Sequence, residues 1–269
     1  MAGAAGQRAP SAVSAVATER PMGLLDSIFG DKPTQKSIDK QVLRLKERYA
    51  QPEYRREAMD KLLSWGTPEA YAGLLVRFTV VAQSPHWDEE EKRWLVDELA
   101  TRGEPAKLAL QAFLAREDHV AFAAMALRKL SSSPEQWVQD MITALHARPA
   151  EDHRTTLGKA ELVAQLKDGG GPEVVGAVLP YLDDHADDVQ MATIDCIDHH
   201  HAGADDAAKA QAAQRLRAIV ADDARSARVL RHAAAAMARL KIAVDATRPL
   251  APAVAEDFVV KDGALVPAR

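Results

Sequence analysis

Apolar residues recur along most of this chain at intervals of three and four. Tyr71, Leu74, Leu75, Phe78 and Val81 fall on one helical face, as do Trp137, Val138, Met141, Ile142 and Leu145, and Val174, Val175, Val178, Leu179 and Leu182. That spacing predicts amphipathic helices. Helices with a narrower apolar face lie between them: Ala58, Met59, Leu62 and Leu63; Val120, Ala123, Ala124 and Leu127; Val189, Ala192, Thr193, Cys196 and Ile197. The breaks fall at Gly66-Thr67-Pro68, Gly103-Glu104-Pro105, Ser133-Pro134 and Gly170-Gly171-Pro172. Each puts a proline at the opening of the next helix, where its missing N–H costs nothing.

The four prolines are spaced by 37, 29 and 38 residues. A helix pair repeating at that length predicts an α-solenoid, because no pair buries its own apolar face alone. Six pairs are expected, at 38–64, 68–101, 104–130, 134–167, 172–199 and 206–241. The expected fold is therefore all-α, an extended right-handed α-α superhelix spanning residues 34–244. Beyond it, residues 245–269 read as a Pro/Ala linker followed by a tight β-hairpin, Phe258 to Val266, turning at Asp262-Gly263. Two short strands are not stable alone, so the hairpin must dock on the last pair or on a partner.

The segments "YRREAMDKLLSWGTPEA", "EKRWLVDELATRGEPAKLAL" and "HRTTLGKAELVAQLKDGGGPEVV" resemble HEAT-like repeats of the short bacterial type that also occurs in phycobilisome lyases. The shared features are a basic residue early in the second helix, then Ala, then Leu, then Gly-x-Pro-Glu opening the next unit. The resemblance covers most of 38–241; in the last two units "HHHAGADDA" replaces the Gly-Pro-Glu break. It implies the fold, and a soluble, bacterial, armadillo-like helical protein, but no chemistry.

Ahead of the helices, residues 1–21 form an Ala-rich stretch whose only apolar run, Ala12 to Ala17, is interrupted by Ser14. A secretory signal needs about 7–15 apolar residues, so this stretch reads as a disordered leader or an over-extended start, with Met22 a natural alternative start. Residues 22–33 hold a short amphipathic segment, "MGLLDSIFG", with Leu24, Leu25, Ile28 and Phe29 on one face. It fits the myristoylation pattern literally, but two turns bury too little area to hold a membrane. The expectation is that it packs on the first pair or enters a partner's groove.

Composition supports helices over sheets: the chain is 47% hydrophobic but only 5% aromatic, so its apolar mass is mainly Ala, Leu and Val. No run approaches the roughly 18 apolar residues of a membrane span. A single cysteine, Cys196, excludes an internal disulfide and makes a reducing cytoplasm the expected compartment. The net charge of −5 gives no general drive towards nucleic acid. Charge is nonetheless segregated: residues 173–206 carry nine acids and no Lys or Arg, while 207–241 carry eight bases against two acids. Either neighbouring units pair across their interface, or the two blocks form a dipolar surface that orients a partner.

Catalytic signatures are missing: there is no G-x-G-x-x-G, G-K-[ST], H-E-x-x-H or G-x-S-x-G. Histidine follows aspartate at Asp118-His119, Asp152-His153, Asp184-His185 and Asp198-His199. Some HEAT-repeat hydroxylases hold iron through His-Glu dipeptides, but here the order is reversed and the acid differs. N-capping by Asp118, Asp152 and Asp187 at second-helix starts explains the pattern, at about 1 kcal/mol each. In "DCIDHHH", Asp195 with His199 is the i, i+4 pair, and histidines at a helix C-terminus suit its dipole without any metal.

The leading expectation is a monomeric, non-enzymatic, cytoplasmic scaffold without cofactor or metal. It would bind a protein partner on its concave face through Arg56, Arg93, Arg154 and Arg228, which lie early in second helices. A chromophore lyase or another HEAT-fold enzyme is the alternative. A nucleic-acid reading, using Arg55, Arg56, Lys92, Arg93, Arg154 and Arg228 as a basic track, ranks below both because the acidic fifth unit interrupts it.

Overall fold

A computed structural model describes residues 33–268. The leader and the segment Met22–Gly30 lie outside the described residues, and the chain divides at Pro33/Thr34. Six helix pairs build the unit that starts at Thr34: α1 (Gln35–Leu45) with α2 (Pro52–Trp65), α3 (Pro68–Leu75) with α4 (Pro85–Leu99), and α5 (Gly103–Leu114) with α6 (Ala121–Leu130). Then come α7 (Pro134–His146) with α8 (Thr156–Gly169), α9 (Val174–Val178) with α10 (Asp187–His200), and α11 (Asp206–Val220) with α12 (Ala227–Leu240). First helices contact first helices of the next pair (α1–α3–α5–α7–α9–α11), and second helices contact second helices. This is a two-layer α-solenoid, as the break spacing predicts. No helix among the described residues is long and apolar enough to cross a membrane.

The helix starts follow from local chemistry. Thr67 and Ser133 precede the N1 prolines of α3 and α7, and their hydroxyls accept from the N–H groups of Ala70 and Gln136 at 3.2 Å each. Gly66, at φ +63°, closes α2 in the left-handed conformation that spares a Cβ clash. In the sixth pair, where no proline is present, the Asp205 carboxylate caps α11 by accepting from Ala208 N–H at 2.7 Å. A different residue type thus performs the same task.

Two periodic runs end sooner than their spacing predicts. The first passes from α3 into a 3-10 turn, Val76–Thr79, and Val81 then lies outside any helix with 54% of its surface exposed. The second is split into α9 and a 3-10 turn, Leu179–Asp183. Pro180 lacks the N–H that an α-helix would need there and starts the tighter turn instead. Tyr71, Leu74, Phe78, Val174, Val178 and Leu182 remain buried in one continuous core.

The hairpin forms as predicted. β1 (Phe258–Lys261) pairs antiparallel with β2 (Ala264–Pro267), and Asp262 and Gly263 both adopt positive φ (50° and 78°), as a type I′ turn requires. It docks on the last pair: β2 packs on α12, Val244 N–H donates to Gly263 O at 2.8 Å, and Leu265 is buried. A short helix, α13 (Pro252–Ala255), completes the seal with Val254.

Candidate functional site

Basic residues early in the second helices have two fates, and burial separates them. Arg55 and Lys92 are buried, with Arg77, Glu91 and Asp88, in one ionic cluster between the first two pairs. Glu91 accepts from Arg55 at 2.7 and 2.9 Å and from Arg77 at 2.8 Å; Asp88 accepts from Arg77 and Lys92 at 2.7 Å each. Three cations face two carboxylates, so surplus donors go to main chain: Arg55 to the carbonyls of Glu47 and Ala50, Arg77 to that of Val80. Burial pushes the Asp88 carboxyl upward, but hydrogen bonds from Lys92, the Ala82 N–H and Arg77 outweigh it and hold the group below the usual carboxylate range.

The same device recurs along the stack. Arg148 donates to the carbonyls of Leu114 and Glu117, Lys159 to those of Pro149, Ala150 and Asp152, and Arg225 to that of Leu182. These carbonyls end first helices or their turns, where no intrahelical partner exists. Lys159 also forms a fully buried ion pair with Asp184. Arg55 and Lys92 are therefore not part of an exposed basic track: their charge is consumed in holding neighbouring pairs together.

The aspartates of the Asp-His dipeptides also differ from expectation. Asp152 does cap, accepting from Arg154 N–H at 3.0 Å at the turn that leads into α8. Asp118 instead accepts from Gly158 N–H of the next pair at 3.1 Å, and the start of α6 is capped by Glu161, which accepts from Val120 N–H at 2.8 Å. Asp187 lies inside the first turn of α10 and accepts from the Ser226 hydroxyl, while Asp184 takes the Ala186 N–H. In a stack, the nearest donor is often on the adjacent pair.

The segregated charge blocks pair across their interface. Asp183 meets Arg215 and Arg225, Asp188 meets Arg228 at 3.1 Å, Asp195 meets His232 at 2.7 Å, and Asp198 meets Arg239 at 2.7 Å. Asp195 thus turns to His232 rather than serving His199. His200 Nε2 lies 2.9 Å from Lys167 O. Among the described residues, no three His, Cys, Asp or Glu side chains converge as metal ligands do. The Cys196 thiol is buried, and that burial pushes its pKa up to about 12, away from nucleophilic use.

Of the four arginines expected to bind a partner, two come together. Arg56 of α2 and Arg93 of α4 line one open groove of about 650 Å³ on the second-helix layer, with Trp87 and Trp94. Arg154 sits in the 3-10 turn His153–Thr155, 89% exposed, held by Asp152 at 3.0 Å; Arg228 is at the start of α12, bound to Asp188. Each of the four has a carboxylate: Arg56 donates to Asp60 at 3.3 Å and Arg93 to Glu89 at 2.6 Å. Arg56 also lies over the Trp94 ring, 3.2 Å from its centroid.

Trp87 is 48% exposed, and sequence reasoning missed both it and Trp94. The signal that could have found them is the seven-residue interval in "HWDEEEKRW", which puts both indoles on one helical face amid acids. Another concavity, of about 430 Å³, lies on the first-helix layer between α3 and α5 and is lined by Leu75, Val76, Leu108 and Phe113. Its aromatic residue, Phe113, is buried. Comparison of the chain with models of known families, with characterised proteins and with solved structures gave no match.

Proposed function

We propose that the chain is a non-enzymatic, HEAT-like scaffold whose partner docks in the groove between α2 and α4. One observation carries the reading: a half-exposed tryptophan, Trp87, stands in a groove whose other indole and arginines are already fixed by internal contacts. Tryptophan and arginine dominate the energetics of protein interfaces, because a rigid aromatic surface buries much area at little entropic cost. Trp87 stands in the groove as the half-exposed aromatic surface that such an anchor uses. The buried ionic cluster beneath the groove supports this reading, since it fixes α2 and α4 to each other and so preorganises the walls.

Site-specific photocrosslinking in the native host lysate tests the proposal. A photoreactive residue replacing Asp97, on the same groove wall, should give discrete adducts, and the same residue at Lys209, far along the chain on α11, should not. The adducts should vanish in the Trp87→Ala background while circular dichroism stays unchanged. Adducts that are identical from both positions, or that persist without Trp87, would refute the groove.

A further inference from the structure

The chain's own tryptophans indicate what the groove would take. Four are present, and three lie under a cation of this chain: Lys61 is 5.5 Å from the Trp65 ring, Arg56 3.2 Å from Trp94, and Arg128 5.1 Å from Trp137. Trp87 has none among the described residues; its nearest aromatic contact is the tilted His86 ring at 5.3 Å. Beside Trp94, the Arg56 guanidinium also finds a carboxylate, Asp60. Trp87 has the same equipment without the cation: Glu90, one helical turn away on α4, and Glu53 across the groove on α2.

Charge in the groove points the same way. Its exposed walls carry five carboxylates (Glu53, Glu57, Asp60, Glu90 and Asp97) against two guanidinia. Asp60 is engaged by Arg56, Asp97 by Lys129 and Glu57 by Arg44. Glu53 has no cation partner among the described residues, and Glu90 has only the His86 imidazole, 3.5 Å away. The two arginines are already neutralised, so they are not free to attract an acidic surface. The surplus is negative and sits around an uncovered indole.

We infer that the groove between α2 and α4 binds a basic protein segment, with one Lys or Arg of the partner seated on Trp87 between Glu53 and Glu90. This rests on the docking reading above and adds the partner's chemistry. The indole face attracts a cation through its quadrupole, and flanking carboxylates take its N–H donors, as Trp94 and Asp60 do for Arg56. Exposed acids on the rim raise the association rate for a positive segment and reject an acidic one.

A phage-displayed library of random twelve-residue peptides is the probe, panned on the full-length wild-type protein. Enriched sequences should be rich in Lys and Arg. A synthetic peptide of the leading sequence should lose affinity on the order of tenfold on Trp87→Ala, the scale of one desolvated cation–π contact. The loss should be larger on Glu53→Lys/Glu90→Lys, and binding should weaken as salt is raised. All of these positions are exposed, so the variants should stay folded, which circular dichroism checks. Neutral or acidic peptides that are lost on Trp87→Ala would overturn the basic chemistry and leave the groove standing. Peptides indifferent to Trp87 and to both charge reversals, or no enrichment at all, would overturn the inference and the docking reading together.

Discussion

Glu91→Ala should be among the most damaging single substitutions in the first half of the chain. Its carboxylate takes three hydrogen bonds, two from Arg55 and one from Arg77, inside a cluster that is almost solvent-free. Removing it leaves two buried guanidinia facing each other and Lys92, with a single carboxylate, Asp88, remaining. Breaking a buried pair by deleting one partner costs about 3–5 kcal/mol, because the desolvated charge left behind has nothing to compensate it. For a unit of this size each kcal/mol lowers the melting temperature by roughly 2–4 °C, so a fall of about 6–20 °C is expected. Thermal and urea unfolding followed by circular dichroism would measure it.

The position of the loss matters as much as its size. Stability in a helical stack is close to a sum of unit and nearest-neighbour terms. Hydrogen exchange should therefore accelerate across α1 to α4, while the amides of α12 keep their protection. The companion variant Glu91→Gln keeps the side-chain volume, one acceptor oxygen and the arginine bonds to the carbonyls of Glu47, Ala50 and Val80, and should lose less than Glu91→Ala. A Glu91→Ala penalty below about 1 kcal/mol, or a Glu91→Gln variant less stable than Glu91→Ala, would refute the reasoning.

Three other outcomes are expected from the same packing. Gly158→Ala replaces a poor helix former inside α8, yet the new Cβ would sit 2.0 Å from Arg148 Nη1, and Arg148 is fixed by the carbonyls of Leu114 and Glu117; urea unfolding should show a loss of about 1–3 kcal/mol, and a gain would mean that Arg148 is free to move. Asp88 is held below the usual carboxylate range in the folded state, so its stabilisation is complete above the ordinary aspartate value and is lost as pH falls from there through the lower folded value. Stability should accordingly decline more steeply from pH 5 to pH 3 in the wild type than in Asp88→Asn, and equal slopes would contradict the assignment. Cys196, buried with its thiol pushed up to about 12, should resist a thiol-disulfide reagent at pH 8 in the native protein and react fully in denaturant; prompt native reaction would place it at the surface.

Helix starts and stops were legible because they are local. Thr67-Pro68 and Ser133-Pro134 place a capping hydroxyl and a preset φ next to each other in sequence, and Asp262-Gly263 supplies the two positive-φ residues of its turn. The apolar periodicity then determines the stack, since a helix pair with two apolar faces must cover them with its neighbours. The fates of the basic residues were not legible. Arg55 and Arg56 are adjacent in sequence, yet a 100° step around α2 puts one in the core against Glu91 and the other over Trp94 at the surface. Asp118 and Asp187 look like caps for their own helices, but each bonds a group of the next pair, some 40 residues away. The groove likewise exists only because α2 and α4 lie side by side, which brings Glu53 and Arg56 to Trp87 and Trp94. Sequence determines what lies within a few residues along the helix; the stacking of pairs decides which charges are buried, which are neutralised, and which indole is left uncovered.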